Sequence, residues 1–245
     1  MGKPSTVKSS VVFTAAFAYS VPVLLGYIAI GMAFGLLITD AGYPVWLALF
    51  MSLWMYAGAG QYIAVGLFTG GATLLQACLI QLVVNARHIA YGISMTNRFP
   101  KKNPVKPYLI FSMTDETFAL LSSMPSGVFN NVQEKDRTRF MFYVSVLDQC
   151  YWVAGSLAGA AIGSLLPFSM DGIGFALTAL FIVLFLEQIF RVKKAGVFIV
   201  SAAAAIIAVC LLPDMISLLG GMVLALVFSL GLDLFLRHIA GAEDK

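Results

Sequence analysis

The sequence predicts an all-α, polytopic membrane protein folded as one integral membrane domain over residues 1–245. Three observations predict it. The chain is 60% hydrophobic and 11% charged, with a mean hydropathy of +0.91, whereas soluble domains carry about 25% charged residues. Apolar runs long enough to cross a bilayer recur along nearly the whole length. No hydrophilic stretch is long enough for a soluble domain. The net charge of +3 sits in loops and bears on membrane orientation, with no nucleic-acid partner implied.

The apolar segments fall at about 11–38, 44–68, 72–96, 108–125, 139–166, 172–190, 195–212 and 215–236. The first is too long for a signal-peptide core and reads as a retained membrane helix. The second contains Tyr56-Ala57-Gly58-Ala59-Gly60-Gln61-Tyr62. Gly58 and Gly60 each weaken a helix by about 1 kcal/mol relative to Ala, so a break is expected there. A break would free backbone groups for a solute, with Gln61 to orient it.

The third segment carries Asn85, Arg87 and His88. Arg87 lies about ten residues from the nearest loop, roughly 15 Å along a helix. A guanidinium at that depth costs at least about 2.5–3.5 kcal/mol, so it needs a partner or a hydrated cavity. Gln81, Asn85, His88 and Gly92 share one helix face; Arg87, Tyr91 and Ser94 share another. His88 is a candidate proton carrier or a structural hydrogen-bond donor.

The fourth segment is bracketed by Pro107 and Pro125, and Thr114-Asp115-Glu116 occupies its centre. Two adjacent acids are costly against lipid, but a broken or re-entrant segment lining a polar cavity tolerates them. They are also the natural opposite charges for Arg87. The fifth segment buries Asp148 and Gln149 at a comparable depth. Glu187 and Gln188 lie near a segment end beside Arg191 and read as interfacial.

Basic residues then test the topology. If the fourth segment does not cross and the N-terminus is outside, only Lys3 and Lys8 lie outside, against twelve Lys/Arg inside. With eight crossings and the N-terminus inside, the basic 97–107 loop faces the wrong way. The favoured reading is seven full transmembrane helices plus one partial, re-entrant segment, with eight spans as the alternative.

Tyr19, Tyr27, Gly31 and Gly35 match Tyr143, Tyr151, Gly155 and Gly159 at a constant offset of 124. That suggests an internal repeat of the first and fifth segments, inverted if seven segments cross. The same glycines allow helices to approach closely. Cys78, Cys150 and Cys210 lie inside apolar segments and read as buried small hydrophobes. No phosphate-binding loop, nucleophile elbow or zinc-ligand pair occurs, so no enzyme, cofactor or metal is expected.

The run Gly26-Tyr27 through Gly31-Met32-Ala33-Phe34-Gly35, the Tyr56–Tyr62 motif, Asn85-Ala86-Arg87-His88 with Tyr91-Gly92, and Thr114-Asp115-Glu116-Thr117-Phe118 resemble the AzlC family of branched-chain amino acid exporters. The likeness covers roughly residues 11–125. Tyr62 stands where the family pattern suggests Phe.

The resemblance implies export of valine, leucine, isoleucine and analogues across the bacterial inner membrane. It also implies a small AzlD-type membrane subunit as partner and the proton gradient as driving force. On this reading Gln61, Asn85, Arg87 and Tyr91 contact the substrate, while His88, Asp115, Glu116 and Asp148 serve proton coupling or ion pairing. Gly31, Gly35, Gly58, Gly60, Gly155 and Gly159 serve packing or helix breaks. A passive amino-acid pore and a non-transporting scaffold subunit are the rival classes.

Overall fold

The computed structural model describes residues 8–100, 103–124, 133–165, 182, 186, 195–212, 220, 221, 223–225 and 227–232. These are helices and their connections, with no strand among the described residues. The expected segment 172–190 and much of 215–236 lie outside the described residues. The chain divides into two compact units, one of residues 1–69 with 84–173, the other of 70–83 with 174–245.

The first unit is built on two 32-residue helices, α1 (Ser9–Asp40) and α7 (Glu134–Leu165). At 1.5 Å per residue each runs about 48 Å. By length and composition α1 is the one described helix apolar enough to cross a membrane; α7 is as long but carries charged and amide residues. α1 stops in a Schellman motif. Gly42 takes φ +82°, its N–H donates to Thr39 O, and Tyr43 N–H donates to Ile38 O.

α1 and α7 run parallel. Phe13 meets Tyr143 at 5.5 Å between ring centroids, Ser20 Oγ lies 3.0 Å from Tyr151 Oη, and Gly163 packs on Thr39. The two helices cross on glycine. A Cβ on Gly31 would lie 3.0 Å from Trp152 O, and one on Gly155 would lie 2.8 Å from Ile28 O. A Cβ on Gly35 would collide with Ser156 O, and one on Gly159 with Met32 O. Trp152 is Ile28 plus 124, and Ser156 is Met32 plus 124. The contact is therefore reciprocal under the repeat offset, as in an isologous pair. A parallel pair corrects the inverted reading: the two matched segments point the same way.

The reason lies in the second segment, which was expected to cross. It forms α2 (Val45–Phe50), a π-turn over Met51–Met55, and α3 (Gly58–Thr69). The π-turn closes with Tyr56 N–H on Met51 O, and Tyr56 then takes φ 38°, ψ 50°. This left-handed residue, costly for a non-glycine, reverses the chain. Tyr43 and Phe68, at the two ends, come within 5.7 Å. The segment is a hairpin. The break falls on Tyr56 and Ala57, one residue ahead of Gly58, and Gly58 instead leaves room for Trp152.

α4 spans Leu74–Met95; its residues from Val84 onward belong to the first unit. The fourth segment is a second hairpin, α5 (Lys106–Phe111) and α6 (Asp115–Ser122), joined by Ser112–Thr114. Leu109, Met113 and Leu121 share one core cluster with Val12, Ala16, Met95, Phe99, Phe140, Met141 and Val144. Arg98 Nη1 donates to Ser122 O at 2.7 Å. Both hairpin ends thus lie beside the Ser9 end of α1, the Met95 end of α4 and the Glu134 end of α7.

Among the described residues, Lys8, Arg98, Lys106, Lys135, Arg137 and Arg139 all lie at this basic end. The α2–α3 hairpin enters from the opposite end. The two tips meet midway, with Tyr56 and Phe111 rings 6.2 Å apart. Two hairpins instead of one place the N-terminal end of α1 on the same side as both basic loops, which corrects the expected N-terminus-outside arrangement.

In the second unit, α8 (Ala195–Leu211) buries Ala204 and Ala208, and Ser201 Oγ lies 3.1 Å from Ser229 Oγ. Across the chain the polarity is that of a lipid-solvated protein. Leu25, Trp54 and Ile93 are 70–72% exposed, whereas Ser20, Ser52, Gln61, Thr117, Ser145, Asp148 and Ser156 are fully buried. Cys78, Cys150 and Cys210 are free and exposed, not buried as expected.

Candidate functional site

The polar residues of the first unit gather where the hairpin tips meet between α1, α4 and α7. Thr114 starts α6 as its N-cap, its hydroxyl accepting from Thr117 N–H at 3.3 Å. Asp115 and Glu116 follow in the first turn, where the helix dipole favours carboxylates. Consecutive residues on a helix diverge by about 100°, so the two acids face different partners.

Asp115 turns to α4. Its Oδ2 forms an ion pair with Arg87 Nη1, and its Oδ1 accepts from Tyr91 Oη at 2.6 Å. Tyr91 in turn stacks on Phe118, with centroids 4.4 Å apart and rings 11° from parallel. The Arg87 side chain is 33% exposed and that of Asp115 17%, so the pair is only partly covered. His88 is half-buried; its ring lies 6.2 Å from that of Tyr91 and bonds to neither carboxylate. Asn85 is half-buried on the same helix, one turn before His88.

Glu116 turns to α1, away from the ion pair. Its Oε2 accepts from Tyr27 Oη at 2.7 Å, and Tyr27 Oη lies 2.6 Å from Thr114 Oγ1. Thr114 Oγ1 donates to Thr117 Oγ1 at 3.1 Å, and Thr117 Oγ1 donates to Asp148 Oδ2 at 2.8 Å. Two acids 32 positions apart in sequence are thus linked through three hydroxyls. Asp148 Oδ1 and Ser145 Oγ are buried around the far end of this chain without a hydrogen-bond partner, and Tyr56 Oη is buried beside Thr117 and Asp148.

Gln61 takes another role from the one its sequence context suggests. It is fully buried; Nε2 donates to Ser52 Oγ at 3.2 Å, and Oε1 accepts from Trp152 Nε1 at 2.8 Å. It ties the π-turn to α3 and α7. Gln149 does the same lower down, accepting from Tyr108 Oη at 2.7 Å and donating to Leu53 O at 3.0 Å. Each hairpin is thereby fastened to α7 by an amide. Gly60 is buried in the first turn of α3.

Sequence reasoning gave no role to Thr114, Thr117 and Trp152, and noted Tyr27 only within the repeat and the family motif. The Thr-x-x-Thr spacing at the start of an apolar run is a capping pattern and was the available signal for the threonines. Among the described residues no group of three His, Cys, Asp or Glu side chains converges as a metal ion would require. At the basic end an open pocket of about 720 Å³ is lined by residues including Asn97, Arg98, Asn103, Lys135 and Arg137.

Residues 22–166 match the family model described as AzlC protein. An uncharacterised membrane protein of Helicobacter pylori is 44% identical over 72% of this chain and 75% of its own. The branched-chain amino acid transport protein AzlC of Bacillus subtilis is 36% identical over 74% of this chain and 70% of its own. The inner membrane protein YgaZ of Escherichia coli is 29% identical over 90% of both chains. No solved structure matches. The matched span holds the glycine crossing, both hairpins and every residue of the midway cluster, and on these grounds the chain belongs to the AzlC family.

Proposed function

We propose that this chain exports branched-chain or similar apolar amino acids across the bacterial inner membrane, coupled to protons and working with a small AzlD-type subunit. The observation that carries the reading is the ion pair of Arg87 and Asp115, only partly covered and set midway along the unit. An amino acid is a zwitterion. Inserted between these two residues, its carboxylate takes Arg87 and its ammonium takes Asp115. Every charge stays compensated, so the desolvation cost that excludes single charges from the bilayer is avoided. Tyr91 holds Asp115 in place, and the Tyr91–Phe118 stack offers an apolar wall for the side chain.

Family membership and the name of the Bacillus subtilis relative support the substrate class. In the proposed topology α1, α4 and α7 cross the bilayer, while the 44–68 and 108–125 hairpins enter from opposite sides and return. The basic end faces the cytoplasm, as the positive-inside rule favours. The pocket at that end would serve as the entry for solute.

The test is counterflow of labelled leucine, valine and isoleucine in proteoliposomes, with and without the small subunit, in the presence and absence of a pH gradient. A glutamate control separates apolar selectivity from a general pore. Saturable leucine counterflow that Asp115→Lys abolishes is the expected result. Normal leucine movement through Asp115→Lys would remove the ion pair from the mechanism, and gradient-independent, unsaturable leakage would identify a passive pore.

A further inference from the structure

We infer that Glu116, Tyr27, Thr114, Thr117 and Asp148 form a wire that holds one exchangeable proton and passes it between the two carboxylates. The inference rests on the proton-coupled reading above and names the path.

It follows from counting. Four oxygen–oxygen contacts of 2.6–3.1 Å link the five side chains, and each needs one proton between its oxygens. Three hydroxyls supply three protons. With both carboxylates ionised, Tyr27 donates to Glu116, Thr114 donates to Thr117, and Thr117 donates to Asp148. The contact between Tyr27 and Thr114, the shortest of the four at 2.6 Å, is then left with two facing lone pairs. Thr117 is fully buried and Thr114 6% exposed, so solvent does not fill that gap. One added proton closes it.

The added proton has two homes, one at each end. On Glu116, that carboxyl donates to Tyr27, and Tyr27, Thr114 and Thr117 each donate to the next, ending on ionised Asp148. On Asp148, every hydroxyl points the other way and Glu116 is ionised. In the transfer Glu116 gives up its proton, each hydroxyl accepts one and donates one, and Asp148 ends protonated. The hydroxyls are unchanged and one positive charge has moved.

Tyr56 Oη, buried beside Thr117 and Asp148, does not alter the count, because a side hydroxyl adds one proton with one contact. The remaining charged and titratable neighbours are Arg87 and Asp115 beside Glu116, and Tyr108 and Tyr151 beside Asp148. Arg87 and Asp115 make the ends unequal. A zwitterion on that pair changes the field at Glu116 and shifts the proton along the wire, which gives coupling without contact between solute and wire.

Infrared spectroscopy of the full chain in lipid tests the count directly. The spectrum at about pH 7, minus that of the double variant Glu116→Gln/Asp148→Asn, should contain the absorption of one protonated carboxyl. Two carboxyls, or none, overturn the wire whatever the protein transports.

Thr117→Val tests the path. In proteoliposomes it should keep leucine counterflow above that of empty vesicles and lose leucine accumulation driven by a pH gradient by about tenfold or more. Undiminished gradient-driven accumulation overturns the proposal. If counterflow is lost as well, the variant's own spectrum decides. Tyr27 and Thr114 then satisfy Glu116 unaided, so the carboxyl band must move with ¹³C-aspartate; a band that stays with glutamate overturns the wire. A wild-type protein with the one-carboxyl band but no response to a pH gradient would sink the coupled-transport reading and leave the wire standing.

Discussion

Arg87 and Asp115 stand or fall together. Asp115→Asn leaves the partly buried Arg87 guanidinium without its ion-pair partner. Leucine transport should fall by at least about a hundredfold, with the protein still inserted. Transport assays beside a membrane-fraction blot check both halves. Gln61→Leu predicts a stability loss instead: Trp152 Nε1 and Ser52 Oγ each lose a buried partner, at about 1–3 kcal/mol per group. The melting temperature in detergent should drop while the leucine concentration for half-maximal counterflow stays the same. Charged residues in apolar sequence declare themselves, which is why Arg87, Asp115, Glu116 and Asp148 were legible at once. Tyr27, Thr117 and Trp152 were not, because a hydroxyl or indole in an apolar helix is unremarkable until its partner is known. Gln61 was legible as a polar group set in an apolar run, but its partners were not, since they lie 9 and 91 residues away.

At the level of elements, the glycines of α1 and α7 make a sharp comparison. Gly159→Leu drives a side chain into the Met32 backbone and should abolish recovery of folded protein. Gly159→Ala should cost several kcal/mol, about 1–3 for overpacking alone. Gly26→Ala, with open space around its Cβ, should be neutral or slightly stabilising. Recovery of folded protein checks the first variant, and thermal unfolding in detergent ranks the other two against the parent. The glycine pairs, the broken fourth segment and the approximate helix limits were readable from spacing, proline and paired acids. The α2–α3 hairpin was not. Twenty-five apolar residues suit one crossing or two half-crossings equally well, and the reversal rests on a π-turn and a left-handed tyrosine that no local rule marks. Tyr56→Ile tests that reversal: a β-branched residue is strained at φ 38° and should destabilise the protein more than Tyr56→Phe.

For the whole molecule, the arrangement predicts a pattern of accessibility. After removal of the native cysteines, single cysteines at Lys8, Asn103 and Lys135 should react with a membrane-impermeant maleimide only when the cytoplasmic face is opened. Cysteines at Ala41 and Thr69 should react from the outside of intact cells. Labelling of Lys8→Cys and Asn103→Cys from opposite sides would show that one hairpin crosses after all. The all-helical class and the membrane setting were legible from composition alone. The end of the unit at which α1 begins was not, because each unrecognised hairpin flips the parity of every later segment, and charge counting works only when the number of crossings is known.

The two hairpins also differ from crossing helices in how they can move. In the proposed topology both feet of each one stand in the same leaflet. Such a plug can rise or sink along the bilayer normal without hauling any backbone through the opposite leaflet. Amides pin both plugs to the long helix α7, and the fastenings are linked: Gln149 holds the Tyr108 arm of one and the Leu53 carbonyl of the other, while Gln61 ties the stretch around Ser52 to Trp152. One side chain of α7 thus bonds both hairpins, so a shift of either is felt by the other through Gln149.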